Sequence, residues 1–157
     1  MPRTIFLIVL SIGLLLFACN PKLNTEQLTG QWKVTEMKVD IPNVPSQLID
    51  NARILALATT YEFKSDRHYC MTISKNELGG GRKHFGMVTF DSKNFSLSTD
   101  SLWLEKDGAW TLIVRNDFNE PFFEVIEMKI EKMTERQLFV SEKEGNGAIY
   151  YTLEKAE

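Results

Sequence analysis

The sequence predicts an all-β fold, an antiparallel up-and-down β-barrel of about eight to ten strands with one short helix between the first and second strands. Three observations predict it. After Thr60 apolar and polar residues alternate in short runs, as in Tyr61, Phe63, Tyr69, Met71 and Ile73, which is the period of a half-buried strand. Tight polar turns such as Ser65, Asp66, Arg67 separate those runs, and only the stretch from Ser46 to Ala58 repeats apolar residues at helical spacing. A single meander of this size leaves exposed edges, and closure is the economical way to remove them.

The first strand opens at Leu28, Thr29, Gly30, Gln31, Trp32, Lys33, Val34. Trp32 and Val34 share one face, whereas Met37, Val39 and Ile41 share the other parity, so the apolar face switches near Thr35 and Glu36. A one-residue bulge makes that switch and bends a barrel strand. Pro42 and Pro45 stop the strand, and from Ser46 a helix places Ile49, Ala52 and Leu55 or Ala56 on a wide apolar face. A lid over one barrel end and a helix plugging that end as core both fit that face, and its width favours the plug.

Tyr61 and Phe63 then form a hairpin with Tyr69, Met71 and Ile73, and Gly79, Gly80 and Gly81 read as a flexible hairpin tip. Strands follow near His84 to Phe90, at Phe95 and Leu97, and at Leu102 and Leu104. Trp110, Leu112 and Val114 make the next face, then Phe122, Ile126, Met128 and Ile130, then Leu138 and Val140. Glu144, Gly145, Asn146, Gly147 turn the chain into Ile149, Tyr151 and Leu153.

The Gly-x-Trp of Gly30 and Trp32, the helix after it, the Tyr-x-Phe of Tyr61 and Phe63 and the closing Tyr150, Tyr151 hairpin together resemble the lipocalin-like domains of bacterial lipoproteins. The resemblance spans Leu28 to Lys155 and implies a calycin-type barrel whose narrow end Trp32 closes. Trp32 as a plain core aromatic fits the residues equally. Small fatty-acid-binding barrels, relatives of lipocalins, carry their lid where this helix stands. Lipocalins also set a basic residue from the last strand over the Trp; Lys155 falls too late in the chain, and no counterpart is expected.

Ahead of the barrel, Arg3 precedes an apolar run of 13 residues, Ile5 to Phe17, that ends in Leu16, Phe17, Ala18, Cys19. A membrane-spanning helix needs roughly 20 residues, so this run is too short to be one. Leu, any residue, small residue, Cys resembles a lipobox, which implies a bacterial lipoprotein signal peptide over residues 1–18 and acyl chains on Cys19. A lipidated tether over 19–27 and the barrel domain over 28–157 follow. An ordinary signal peptide or an uncleaved anchor is the alternative. Each buried methylene contributes roughly 0.8 kcal/mol, so two or three chains hold a protein to a bilayer without a basic patch. The implied location is the bacterial cell envelope, with the outer membrane, periplasmic or surface side, as the expected site.

Removing the leader leaves 139 residues, enough for one domain that buries about two-thirds of its unfolded surface. Arg3 is the leader's only charge, so the remaining chain carries 17 basic and 21 acidic side chains and a net charge of −4. Neither balance nor clustering supplies the basic face that a nucleic acid requires. With Cys19 acylated, Cys70 has no partner for an internal disulfide, and inert packing is its expected role.

Gly79 to Lys83 opens no helix and lacks a Lys-Ser/Thr ending, so it is no phosphate loop. Pairing residues 68–73 with 84–89 would set His84 opposite Ile73, roughly 17 Å from His68 at about 3.3 Å per residue, and no metal site is expected from His68, Cys70 and His84. The chain has two His, no nucleophile elbow and no zinc-protease helix, so no catalysis is expected. Its acidic residues read as turns and outward strand positions.

A barrel of about eight strands is just wide enough for packed side chains or one small ligand. Trp32, Tyr61, Phe63, Tyr69, Met71, Trp110 and Tyr151 are the candidate lining for an apolar ligand with a few polar contacts, and the same seven would make an ordinary core. The resemblance implies a lipid-anchored envelope lipoprotein that binds a small apolar or amphipathic molecule, with no cofactor. The alternative is a protein-interaction module, inhibitor-like or an accessory subunit of an envelope complex, with a filled core. Phe122 and Phe123, after Glu120 and Pro121, would be its contact.

Overall fold

Trp32 lies opposite two residues at once, Tyr61 on one neighbouring strand and Lys155 on the other. That double pairing closes the sheet. The computed structural model describes residues 25–91, 93–114 and 125–156. In chain order these form a one-turn helix α1 (Thr25–Leu28), β1 (Gly30–Asp40), α2 (Ser46–Leu57), β2 (Thr59–Phe63) and β3 (His68–Ile73). Then come β4 (Arg82–Asp91), β5 (Asn94–Lys106), β6 (Ala109–Val114), β7 (Val125–Met133), β8 (Gln137–Glu144) and β9 (Gly147–Lys155). Every pairing is antiparallel, and β1-β2-β3-β4-β5-β7-β8-β9 close on themselves as an eight-stranded barrel while β6 hangs from β5 alone. The architecture is the expected up-and-down lipocalin-like barrel with a short helix between the first two strands.

Three bulges shape it, one of them at Glu131 on β7, between Ile130 and Lys132. Val34 pairs with Leu153 and Glu36 with Thr152, so Thr35 is the extra residue, and the inward face passes from Trp32 and Val34 to Met37 and Val39 as the sequence predicts. On β5, Asp100 is the extra residue between Thr99, opposite Gly86, and Ser101, opposite Phe85. Beyond it β5 leaves β7 and pairs its last six residues with β6, through a turn whose Asp107 and Gly108 have φ of 54° and 78°. The 13 residues of β5 thus close the barrel with one half and form a ledge with the other.

The core lies inside the barrel, with Trp32, Phe63, Tyr69, Phe95, Leu97 and Leu138 almost wholly buried. Phe63 stacks on Tyr61 at 6.0 Å and meets Phe95 edge-on at 5.8 Å, geometries that contribute about 0.5–1.5 kcal/mol each beyond burial. Gly86 is required where β5 crosses close to β4, because a Cβ there would collide with the Ser98 carbonyl. Tyr69 lies over the bare position, its hydroxyl 2.7 Å from Thr99 Oγ1.

Trp32 closes one end. Its Nε1 donates to the Leu28 carbonyl of α1 at 2.7 Å, and Leu28 is itself fully buried. Lys155 stands over the indole with Nζ 5.2 Å from the ring centroid and 3.4 Å from the Gln27 carbonyl. The basic residue over the first-strand Trp is therefore present, contrary to the sequence expectation. The reason is register: the Thr35 bulge lets β9 run one residue further along β1, which brings Lys155 level with Trp32.

α2 rests on the opposite rim as a cover. Ala56 is its one buried residue and Ala52 packs on the core, while Leu48 and Leu57 stay exposed, so only a narrow strip of the wide apolar face joins the core. Small residues let the helix lie against β1 without entering the barrel. Gly80 and Gly81 also differ from the flexible tip expected: a Cβ on either would run into Glu105, and Gly81 would also press on the Trp110 ring, so the loop is docked on β5. Gly81 O accepts from the Glu105 N–H at 2.8 Å. Among the described residues no helix is long and apolar enough to cross a membrane.

Candidate functional site

Antiparallel strands alternate in direction, so the start of β1, the 64–67 turn, the β4–β5 turn and the β7–β8 turn share the end that Trp32 and α1 close. α2, the 74–81 loop, the β5–β6 ledge and the β8–β9 turn share the other. That second end is the mouth. Inward residues near it, including Val39, Ile73, Ile149, Tyr151 and Glu142, are half-buried, as are Phe90, Ile130 and Met133 towards the other end, where Trp32 and Leu28 are fully buried.

Glu142 is the unexpected member. It pairs with Met128 on one side and Ile149 on the other, and Met128 pairs with the core residue Phe95, so the carboxylate faces inward. The expectation that acidic residues point outward is corrected here. Leu138, Val140 and Glu142 alternate along β8, so strand parity carries Glu142 to the same face as two core residues.

Tyr151, two places further on the adjacent strand, donates its hydroxyl to Glu142 Oε2 at 3.2 Å. Burial raises the Glu142 carboxyl, and nearby Glu144 adds to the effect while the Tyr151 hydrogen bond works against it. No basic group is among the causes. Burial likewise raises the Tyr61 and Tyr151 phenols, and the Glu142 charge is the next cause for each, which gathers the three side chains into one electrostatic cluster. Tyr69 sits deeper, its phenol raised by burial and held by Thr99.

His84 also faces inward, paired with Met71 and Leu102 and 6% exposed. Burial, reinforced by Arg82, lowers it to about 4, so the imidazole is neutral at physiological pH. The expected register opposite Ile73 is corrected: Ile73 pairs with Arg82, because Asn76 and Gly79 exchange backbone hydrogen bonds and tighten the loop, letting β3 and β4 pair further. His68 lies on the other face, exposed, with Nδ1 3.1 Å from Asp66. Cys70 is buried on that outer parity, Sγ 3.6 Å from Thr72 Oγ1. Among the described residues no three His, Cys, Asp or Glu side chains group as metal ligands.

Of the seven candidate lining residues, Tyr61, Met71 and Tyr151 lie inward towards the mouth cluster, Phe63 and Tyr69 lie deeper in the core, and Trp32 seals the far end. Trp110 stands apart. It is on β6, outside the barrel, 38% exposed, with Lys83 Nζ 4.5 Å above its ring. Its neighbour Leu112 is 43% exposed, and among the described residues no second strand pairs with β6. Beneath the ledge a cleft of about 310 Å³ is lined by Arg82, Leu102, Leu104 and the docked glycines. Cys19, Phe122 and Phe123 lie outside the described residues.

No protein-family model matches this chain, and no curated protein matches it. Among solved structures it is similar to a lipocalin-like protein from Bacteroides uniformis, at 15% identity over 83% of this chain and 99% of that one, with a TM-score of 0.48. It is also similar to an uncharacterized protein from Bacteroides eggerthii, at 14% identity over 82% of this chain and 98% of that one, with a TM-score of 0.46.

Proposed function

We propose that this protein is a lipid-anchored envelope lipoprotein whose barrel binds one small amphipathic molecule through the mouth, by binding alone and without catalysis. The observation that carries the reading is the inward Glu142 carboxylate, hydrogen-bonded to Tyr151 and flanked by the apolar Met128 and Ile149. An inward carboxylate costs desolvation and does nothing for packing, so its place is explained by a polar group that it meets. Apolar neighbours such as Val39, Ile149 and Met128 would take the rest of the molecule. α2, which rests on the rim through Ala52 and Ala56 and accepts one hydrogen bond from Thr59 at Leu55 O, is the natural moving part for entry.

The lipobox-like Leu16, Phe17, Ala18, Cys19 supports the anchor. From an acylated Cys19 to Thr25 the chain reaches at most about 20 Å at roughly 3.5 Å per residue. α1 begins at the closed end, so in this reading the closed end faces the outer membrane and the mouth faces away from it. Ligand would then arrive from the aqueous side.

Native mass spectrometry of the chain from Asn20 onward, purified gently from bacterial cells and then denatured, tests the binding. A stoichiometric small mass released on unfolding is the expected result. A bare polypeptide, in repeated preparations and after incubation with envelope lipid extract, refutes it. That result would favour the second reading, a protein-interaction module with a filled core, for which the exposed Trp110 and Leu112 on β6 speak.

A further inference from the structure

The inward charges are distributed unevenly. Lys155 is at the closed end, fixed over Trp32 and against the Gln27 carbonyl. Arg82 lies on β4 beside His84 and lines the cleft under the ledge, and His84 is neutral. Glu142, by contrast, has a phenol as its hydrogen-bond partner and another acid, Glu144, as its charged neighbour. Tyr151 brings its phenol to that carboxylate at 3.2 Å, and the buried Tyr61 senses the same charge from the inward face of β2.

We propose that the mouth selects amphiphiles with an ammonium head, the head held by the Glu142 carboxylate between Tyr61 and Tyr151 and the tail lying along Val39, Ile149 and Met128. A cation restores to Glu142 the stabilisation that desolvation removes, and tyrosine rings attract it further through their negative faces. A carboxylate or phosphate head would set like charge beside Glu142 at low dielectric, which is unfavourable. The net charge of −3 of the whole chain favours the same sign of ligand. Barrels that hold fatty acids present the opposite preference, so the proposal separates this protein from the ligand its helix position suggests. It rests on the binding reading above.

The test is calorimetric titration of the chain from Asn20 onward, which retains every described element, with dodecylamine, dodecanoate and dodecanol at pH 7 and below their micelle concentrations. Dodecylamine is expected to bind at least about tenfold more tightly than dodecanoate. Glu142→Gln should remove that preference by weakening dodecylamine about tenfold and leaving dodecanoate no weaker, with an unchanged circular dichroism spectrum. Tyr151→Phe, which keeps the ring, should weaken dodecylamine less than Glu142→Gln does. Dodecanoate binding as tightly as dodecylamine, dodecanol binding without dodecylamine, or a Glu142→Gln protein that keeps its amine preference overturns the proposal while leaving the binding reading intact. Failure of all three probes refutes both.

Discussion

Acid should unfold this protein through His84 before its carboxylates titrate. Burial and Arg82 lower the imidazole from 6.5 to about 4 in the folded barrel, whereas the unfolded chain takes up the proton near 6.5. Between those values the unfolded state binds more protons, so stability falls as pH falls. Above about pH 7.5 both states are neutral at His84 and it contributes no slope. The loss works out at about 1.4 kcal/mol by pH 5.5 and about 2.5 kcal/mol by pH 4.5, relative to pH 7.5.

Other groups titrate in acid too, so the quantity to measure is a difference. Urea unfolding followed by Trp fluorescence, at half-unit steps from pH 7.5 to 4.5, would be run on the wild type and on His84→Gln. Gln matches the imidazole in polarity and approximate size but does not titrate. The wild-type curve should steepen against the variant below about pH 6.5, and the gap should close as both approach neutral pH. Equal slopes in the two proteins, or a wild type that gains relative stability in acid, would refute the placement of a neutral imidazole against Met71 and Leu102.

Trp32→Ala should cost about 3–5 kcal/mol in denaturant unfolding, since it empties the sealed end, while Lys155→Met, which removes only the cation over the ring, should cost about 1 kcal/mol or less. Gly86→Ala should cost about 1–3 kcal/mol or more because β5 must retreat from the Ser98 carbonyl; a Tm within one degree of wild type would show that the crossing is loose. Glu142→Gln should raise the Tm near neutral pH and lose that advantage in acid, below the ordinary carboxyl range. The sign follows from a carboxyl raised in the folded state, whose contribution is present below its unfolded value and is lost as pH rises through the folded one. A Tm difference independent of pH would count against an inward Glu142.

The barrel was legible because its signals are local. Strand alternation, the Ser65-Asp66-Arg67 turn and the parity switch at Thr35 each act over a few residues, and each appears where the pattern puts it. What was not legible depends on register between strands far apart in sequence. Lys155 meets Trp32 across 123 positions of numbering only because one bulge residue is absorbed on β1, and His84 turns inward opposite Met71 only because the 74–81 loop tightens through Asn76 and Gly79. Glu142 is a different case. Its parity with Leu138 and Val140 was readable in the sequence, but a charged residue near a turn reads as solvated until the partner strands place Met128 and Ile149 beside it. β6 shows the reverse case, since Trp110 and Leu112 alternate like core residues but lie exposed on a strand that, among the described residues, pairs with β5 alone.

The two ends of the barrel differ in how their inward ions are completed, and that difference is what separates stability from function here. Lys155 is answered on both sides, by an indole face and by a backbone carbonyl, and its removal should register as a small loss of stability. Glu142 is answered by one phenol at 3.2 Å and is disfavoured by the acid two residues away, so removing its charge should stabilise the empty protein. A residue whose replacement improves the fold is held for something other than the fold. At Glu142 the inward carboxylate, its one phenol partner and the half-buried apolar residues beside it are what the proposed ammonium head would use.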